Sequence, residues 1–131
     1  MKYLTIIATC GFLFTLSTEA VAQDEETEWR TVERFEGEGQ KNTRPFRIDE
    51  GMWAVVYDSK STMGSGAGHI FQVFLKKPQD DLFNEIVANA TNKKRFNDNS
   101  YIYEQGTFYF QVNAANGEWV IEVRVPANED E

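Results

Sequence analysis

The sequence predicts an all-β fold, an antiparallel eight-stranded β-sandwich of jelly-roll-like form preceded by a cleavable signal peptide. Three observations carry that expectation. From residue 30 onward the chain runs in alternating apolar and polar stretches rich in Val, Ile, Phe, Tyr and Trp, broken by Gly, Asn, Asp and Pro. Its single cysteine, Cys10, falls in the leading segment, so the remainder has no disulfide and must hold together by apolar packing. The turn signal Asn116-Gly117 puts the apolar residues of the two runs that flank it on one face.

Residues 1–22 read as an export signal. Lys2 supplies the positive charge, residues 3–16 the apolar run, and Ala20-Val21-Ala22 the small-x-small cleavage pattern. The run is shorter than the roughly 20 residues a membrane helix needs, and Gln23-Asp24-Glu25-Glu26 follows it instead of a basic flank. The expectation is therefore export to the periplasm or the medium, with no integral membrane segment left after cleavage. Thr9 stands before Cys10 where a lipoprotein signal would place a small residue, so lipidation is not expected.

Removing 22 of 131 residues leaves 109, a size suited to one domain. The expected division is an acidic N-terminal tail at 23–29, a sandwich domain at 30–126 and an acidic C-terminal tail at 127–131. Lys2 and Glu19 leave together, so the net charge stays at −8. An acidic surface repels phosphate backbones, which argues against nucleic acid as a partner. The local exception, Lys93-Lys94-Arg95, reads as a solvated loop.

Eight strands are expected near 30–36, 43–49, 52–58, 69–77, 83–91, 100–104, 107–113 and 118–125. The fifth is the least regular, because Leu82, Phe83, Ile86, Val87 and Ala90 also fit a helical spacing. Taking Asn116-Gly117 as a hairpin turn pairs Ala114 with Trp119, Val112 with Ile121, Phe110 with Val123 and Phe108 with Val125, all apolar. The other face then receives Asn113 with Val120, Gln111 with Glu122, and Tyr109 with Arg124. A second hairpin at Gln105-Gly106 would set Tyr103 opposite Phe108 and Tyr101 opposite Phe110 on the same core face. Phe46 to Val55 matches Tyr101 to Phe110 in chemical type, as two hairpins solving one packing problem would.

Phe35-Glu36-Gly37-Glu38-Gly39, Gly51-Met52-Trp53, Gly106-Thr107-Phe108-Tyr109 and Gly117-Glu118-Trp119-Val120-Ile121 resemble motifs of small exported prokaryotic β-sandwich domains. The closing strands are distantly similar to pre-peptidase C-terminal domains, which accompany secreted enzymes. The resemblance spans roughly residues 35–125 and implies a sandwich that assists attachment or binding. It rests on glycines and core aromatics and implies no catalytic residue.

No motif in the chain points to catalysis, and no cofactor is expected. His69, the sole histidine, beside Ser61 or Ser65 would need a positioned hydroxyl and an orienting acid, so a surface position at a loop–strand junction is expected. Met63-Gly64-Ser65-Gly66-Ala67-Gly68 lacks the Lys-Ser/Thr pair of a phosphate loop and reads as a flexible lip. Asp80-Asp81 reads as a solvated turn, not as a glycosidase pair. Asn97-Asp98-Asn99 offers oxygen ligands to Ca2+, but turn chemistry is the default and a structural Ca2+ the lesser alternative. Asn89-Ala90-Thr91 has the form of an N-glycosylation acceptor and is discounted inside an apolar strand.

Outward or peripheral rings are the remaining hint. Tyr109, opposite Arg124, and Trp29, before the first strand, form the candidate ligand-binding set. The expected function is a non-enzymatic binding or interaction module for a glycan, an envelope component or another protein. The alternative is an assembly protein that docks a partner through a sheet edge or an apolar patch.

Overall fold

A computed structural model describes residues 28–127. The expected signal peptide and most of both acidic tails lie outside the described residues. Those described form nine strands and no helix: β1 (Trp29–Glu38), β2 (Lys41–Asn42), β3 (Phe46–Ile48), β4 (Trp53–Ser61), β5 (Ile70–Lys77), β6 (Asp80–Thr91), β7 (Arg95–Ile102), β8 (Gly106–Ala115) and β9 (Gly117–Pro126). They build two antiparallel sheets that face each other across one core. The first runs β1-β9-β4-β7, and the second runs β2-β8-β5-β6 with β3 also on β8.

The ninth strand arises just before the one expected at 43–49. Pro45 has no N–H to give a ladder: the expected strand shortens to β3 at 46–48, and the extra strand β2 lies before it at 41–42. Thr43 bridges the gap: its N–H donates to the Phe110 carbonyl at 2.9 Å, and its Oγ1 accepts from Phe110 N at 3.0 Å. Trp29, placed in the N-terminal tail by the sequence, opens β1 opposite Pro126.

The pairing is nested. Strand β5 pairs with β6, β4 with β7, β2 and β3 with β8, and β1 with β9. Rolling this long ribbon on itself adds the β4–β9 and β5–β8 ladders and closes the two sheets. With β2 and β3 counted as one interrupted strand, this is the wrapping of a jelly roll.

Nested pairing overturns the expected hairpins. Strands β8 and β9 lie in different sheets, so Asn116-Gly117 is an arch between sheets, and Asn116 takes the left-handed backbone conformation that the sharp change of direction demands (φ 58°). The faces were nevertheless assigned correctly. Phe108, Phe110, Val112 and Ala114 are buried from one sheet, and Trp119, Ile121, Val123 and Val125 from the other. The connections through Gly51 and Gly106 are likewise sheet-to-sheet arches. At the second, the expected face is reversed: Ile102 is buried, whereas Tyr101 and Tyr103 are 48% and 74% exposed. One residue of register inverts every side chain of a strand.

Strand β6 explains its own helix-like spacing. Between the pairs Val73/Ala88 and Phe74/Ile86 it carries an extra residue, Val87, in a bulge. Val87 and Ala88 are both buried as a result, while Leu82 and Ile86 point to solvent. The bulge turns the Val87 carbonyl toward the first sheet, where Ser100 Oγ donates to it at 2.9 Å and the Tyr57 hydroxyl at 3.2 Å.

The core is aromatic. Phe46 lies 5.2 Å from Phe110 and 5.8 Å from both Phe35 and Trp53, centroid to centroid, and Trp53 lies 5.3 Å from Phe108. Each such pair contributes about 0.5–1.5 kcal/mol beyond the area it buries. The indole N–H groups are satisfied at the margins, Trp53 by the Glu104 carbonyl at 2.8 Å and Trp119 by the Gly39 carbonyl at 3.1 Å.

Candidate functional site

The sandwich separates the residues that the sequence grouped together. Tyr109 lies on the outer face of the second sheet, between Phe108 and Phe110, which both point into the core. Arg124 and Trp29 lie on the first sheet, on the opposite side of the protein. The expected Tyr109–Arg124 pair is therefore corrected: it presumed a β8–β9 ladder that does not exist.

Around Arg124 the surface is a charge network. Its guanidinium donates to one Glu122 oxygen from Nη2 at 2.6 Å and from Nε at 3.1 Å, and Arg34 lies 3.6 Å from the other. These cations hold the Glu122 carboxyl below its ordinary value, the Arg124 hydrogen bond being the largest cause. Farther along, Arg95 grips Asp58 through two hydrogen bonds and lowers its carboxyl likewise. Both carboxylates are committed anions, unsuited to the raised acid of a glycosidase. A groove of about 380 Å³ runs over this face past Glu36, Asp58, Lys60 and Glu118. Trp29 lies away from this groove, at the other end of β1 opposite Pro126, its ring 5.9 Å from that of Tyr101. Ala54, between Arg124 and Tyr101 in the sheet, is buried although it faces outward.

The second sheet presents different chemistry. Alternation and register place side chains on its outer face in rows across the strands. One row is Asn42, Gln111, Phe74 and Ile86. The rows flanking it are Asn113, Gln72 and Asn89 on one side, and Tyr109, Lys76 and Asn84 on the other. Ala115, Ile70 and Thr91 follow beyond Asn113. These rows contain six amides, two aromatic rings and no carboxylate, in a chain of net charge −8. The amides are partly pre-ordered: Gln72 Nε2 donates to Asn89 Oδ1 at 3.1 Å, and Gln40 Nε2 reaches Asn113 Oδ1 at 3.3 Å. A shallow depression of about 280 Å³ opens among Gln40, Asn42, Gln111 and Asn113. An amide supplies donors and acceptor from one flat group, and a ring supplies an apolar platform. Together they match a ligand that alternates hydroxyls with C–H faces.

His69 is a second correction. It is 2% exposed, with Nε2 2.8 Å from Ser59 Oγ and Nδ1 2.5 Å from the Lys93 carbonyl oxygen. A carbonyl only accepts, so the Nδ1–H donates to Lys93. The Ser59 hydroxyl stands between Nε2 and the Glu118 carbonyl, 3.1 Å away. This is a serine–histidine pair with no acid behind it, and Ser59 is as buried as the ring, so no substrate carbonyl reaches it. The pair is a clamp. The Met63–Gly68 stretch, expected as a flexible lip, is tied down beside it. Thr62 N donates to the Asn116 carbonyl, Gly68 N to Asn92 Oδ1, and Asn116 Nδ2 to the Gly68 carbonyl.

Asn97, Asp98 and Asn99 lie within β7, not in a turn, and alternate across its two sides, so they do not converge on a cation. Among the described residues no three His, Cys, Asp or Glu side chains group as metal ligands. No described helix is long and apolar enough to cross a membrane. No protein-family model matches the chain, and no curated protein matches it significantly.

Proposed function

We propose that this protein is an exported, non-enzymatic binding module that takes a glycan on the outer face of its second sheet. The observation that carries the reading is the carboxylate-free, amide-rich surface around Tyr109 and Phe74, set on paired strands of a rigid sandwich. Four strands span roughly 14 Å at the usual interstrand spacing, room for an extended ligand lying across them. The export signature and the resemblance of the closing strands to domains that assist attachment favour the same reading. A glycan array probed with residues 23–131 tests it. Retention of at least one glycan class, lost in Tyr109→Ala, is the expected result; silence across the array removes the glycan reading.

A second reading, assembly through a sheet edge, draws on β6. This long edge strand exposes 93% of Leu82 and 61% of Ile86. Sedimentation at increasing concentration tests it. A self-associating wild type made monomeric by Leu82→Lys with Ile86→Lys would favour assembly over ligand binding.

A further inference from the structure

The glycan face is electrically lopsided. Its upper rows are neutral, but the row of Tyr109 holds Lys76 between that ring and Asn84. No carboxylate lies within ion-pair distance of Lys76 among the described residues, as is also true of Lys41, Lys60, Lys93 and Lys94, but Lys76 alone of these stands in the outer rows. One step further along β8, Thr107 faces Arg47 in the β3–β8 ladder, and Arg47 Nη1 lies 3.5 Å from Thr107 Oγ1. There the face drops into a cleft of about 570 Å³ bounded by Pro45, Arg47, Lys77, Pro78 and Thr107. Lys76 and Arg47 thus stand at one end of a surface whose rows hold no acid, while Lys77 turns to the inner side, its Nζ 5.6 Å from the centroid of the buried Phe108 ring.

Arg47 and Lys77 are each matched by a paired carboxylate, and Lys76 is not. Arg47 shares an exposed bond with Asp49 at 2.9 Å, and Lys77 is held by Glu104 at 2.6 Å while lying over the Phe83 ring. Asp80, the acid at the cleft, is engaged by the Leu82 N–H at 3.1 Å. Lys76 is the uncompensated charge. It stands one interstrand spacing, about 4.8 Å, from the Tyr109 backbone, so a group stacked on that ring is within its reach.

Resting on the glycan reading, we infer that the ligand is an acidic glycan, with an anionic substituent held by Lys76 beside Tyr109 and directed toward the Arg47 cleft. Nonspecific polyanion attraction does not produce this arrangement, because the molecule as a whole repels polyanions. A hydroxyl-rich chain bearing negative charge fits both features of the surface, the amide rows and the Lys76 ammonium at their end. A carboxylate and a sulfate ester present the same anionic oxygens, and the probes separate them.

The test measures binding of residues 23–131 to immobilised polygalacturonate, dextran sulfate, galactan and dextran. Wild type is compared with Lys76→Gln, Lys76→Gln/Arg47→Gln and Tyr109→Ala. Polygalacturonate or dextran sulfate should be preferred over the neutral polymers, and whichever binds better names the anion. Lys76→Gln should weaken that binding by roughly two- to fivefold, the worth of one exposed ion pair, and the double variant further. Raised salt should erase the preference. Equal or better binding of neutral polymers, lost in Tyr109→Ala but indifferent to Lys76→Gln, overturns the acidic-glycan inference and keeps the glycan reading. Binding to none of the four overturns both. Lys76 is on the outer face, and an unchanged melting temperature in Lys76→Gln confirms that the variant is folded.

Discussion

Ser59 Oγ lies 2.8 Å from His69 Nε2, joining the inner side of β4 in the first sheet to the residue that leads into β5 in the second. The contact fastens the end of the sandwich where three sheet-to-sheet connections meet. Ser59→Ala removes the hydrogen bond and leaves a buried ring nitrogen unpaired, which costs about 1–3 kcal/mol. Urea unfolding should show a lowered midpoint with an unchanged slope.

Gly117 makes the clamp close. A methyl on its Cα would stand 2.6 Å from His69 Cδ2 and 2.8 Å from the Lys60 carbonyl oxygen. One neighbour is backbone and the other a wedged ring, so Gly117→Ala is expected to destabilise by about 1–3 kcal/mol. A thermal melt indistinguishable from wild type would show that the end of the sandwich yields more readily than its packing implies.

The bulge carbonyl of Val87 has two donors, and that redundancy is measurable. Tyr57→Phe alone leaves Ser100 in place and should cost about 1 kcal/mol. Tyr57→Phe with Ser100→Ala strands a carbonyl in the space between the sheets. The double variant should lose more than the sum of the single variants, and a double-mutant cycle reads the excess directly.

Acid should loosen the first sheet. Glu122 has its folded pKa depressed by Arg124 and Arg34, and Asp58 by Arg95. A depressed carboxyl stabilises the fold above its unfolded pKa, and that stabilisation is lost as pH falls through the folded pKa. Because both pairs are solvated, each contributes only weakly. Glu122→Gln should therefore lower the melting temperature slightly at neutral pH, with the gap to wild type closing in acid below the ordinary carboxylate range.

The inward faces were legible in the sequence because alternation is local: whether Val112 or Ile121 points into the core depends only on its own strand. Pairing partners are not local. Asn116-Gly117 suits a hairpin and an arch equally, since both require a left-handed residue, and only the nesting of the whole chain decides between them. Tyr101 and Tyr103 were turned inward by assuming a tight turn at Gln105-Gly106, whereas the strand ends at Ile102 and the connection is longer. Tyr109 was correctly turned outward, but its true neighbours were hidden. Asn42, Phe74, Lys76 and Asn84 come from strands that meet β8 only through non-local ladders. The His69 clamp was hidden for the same reason, its partners Ser59, Lys93 and Gly117 being scattered along the chain.

The most direct test of the account is a map of the ligand's footprint. Amide chemical shifts of 15N-labelled residues 23–131 would be followed while the glycan best retained on the array is titrated in. The account predicts that shifts concentrate on Tyr109, Gln111, Phe74, Lys76 and their row neighbours, with Arg124, Tyr101 and Val56 unmoved. Shifts centred on β9 and β4 around Arg124 and Trp29 would contradict it and move the site to the opposite face of the sandwich.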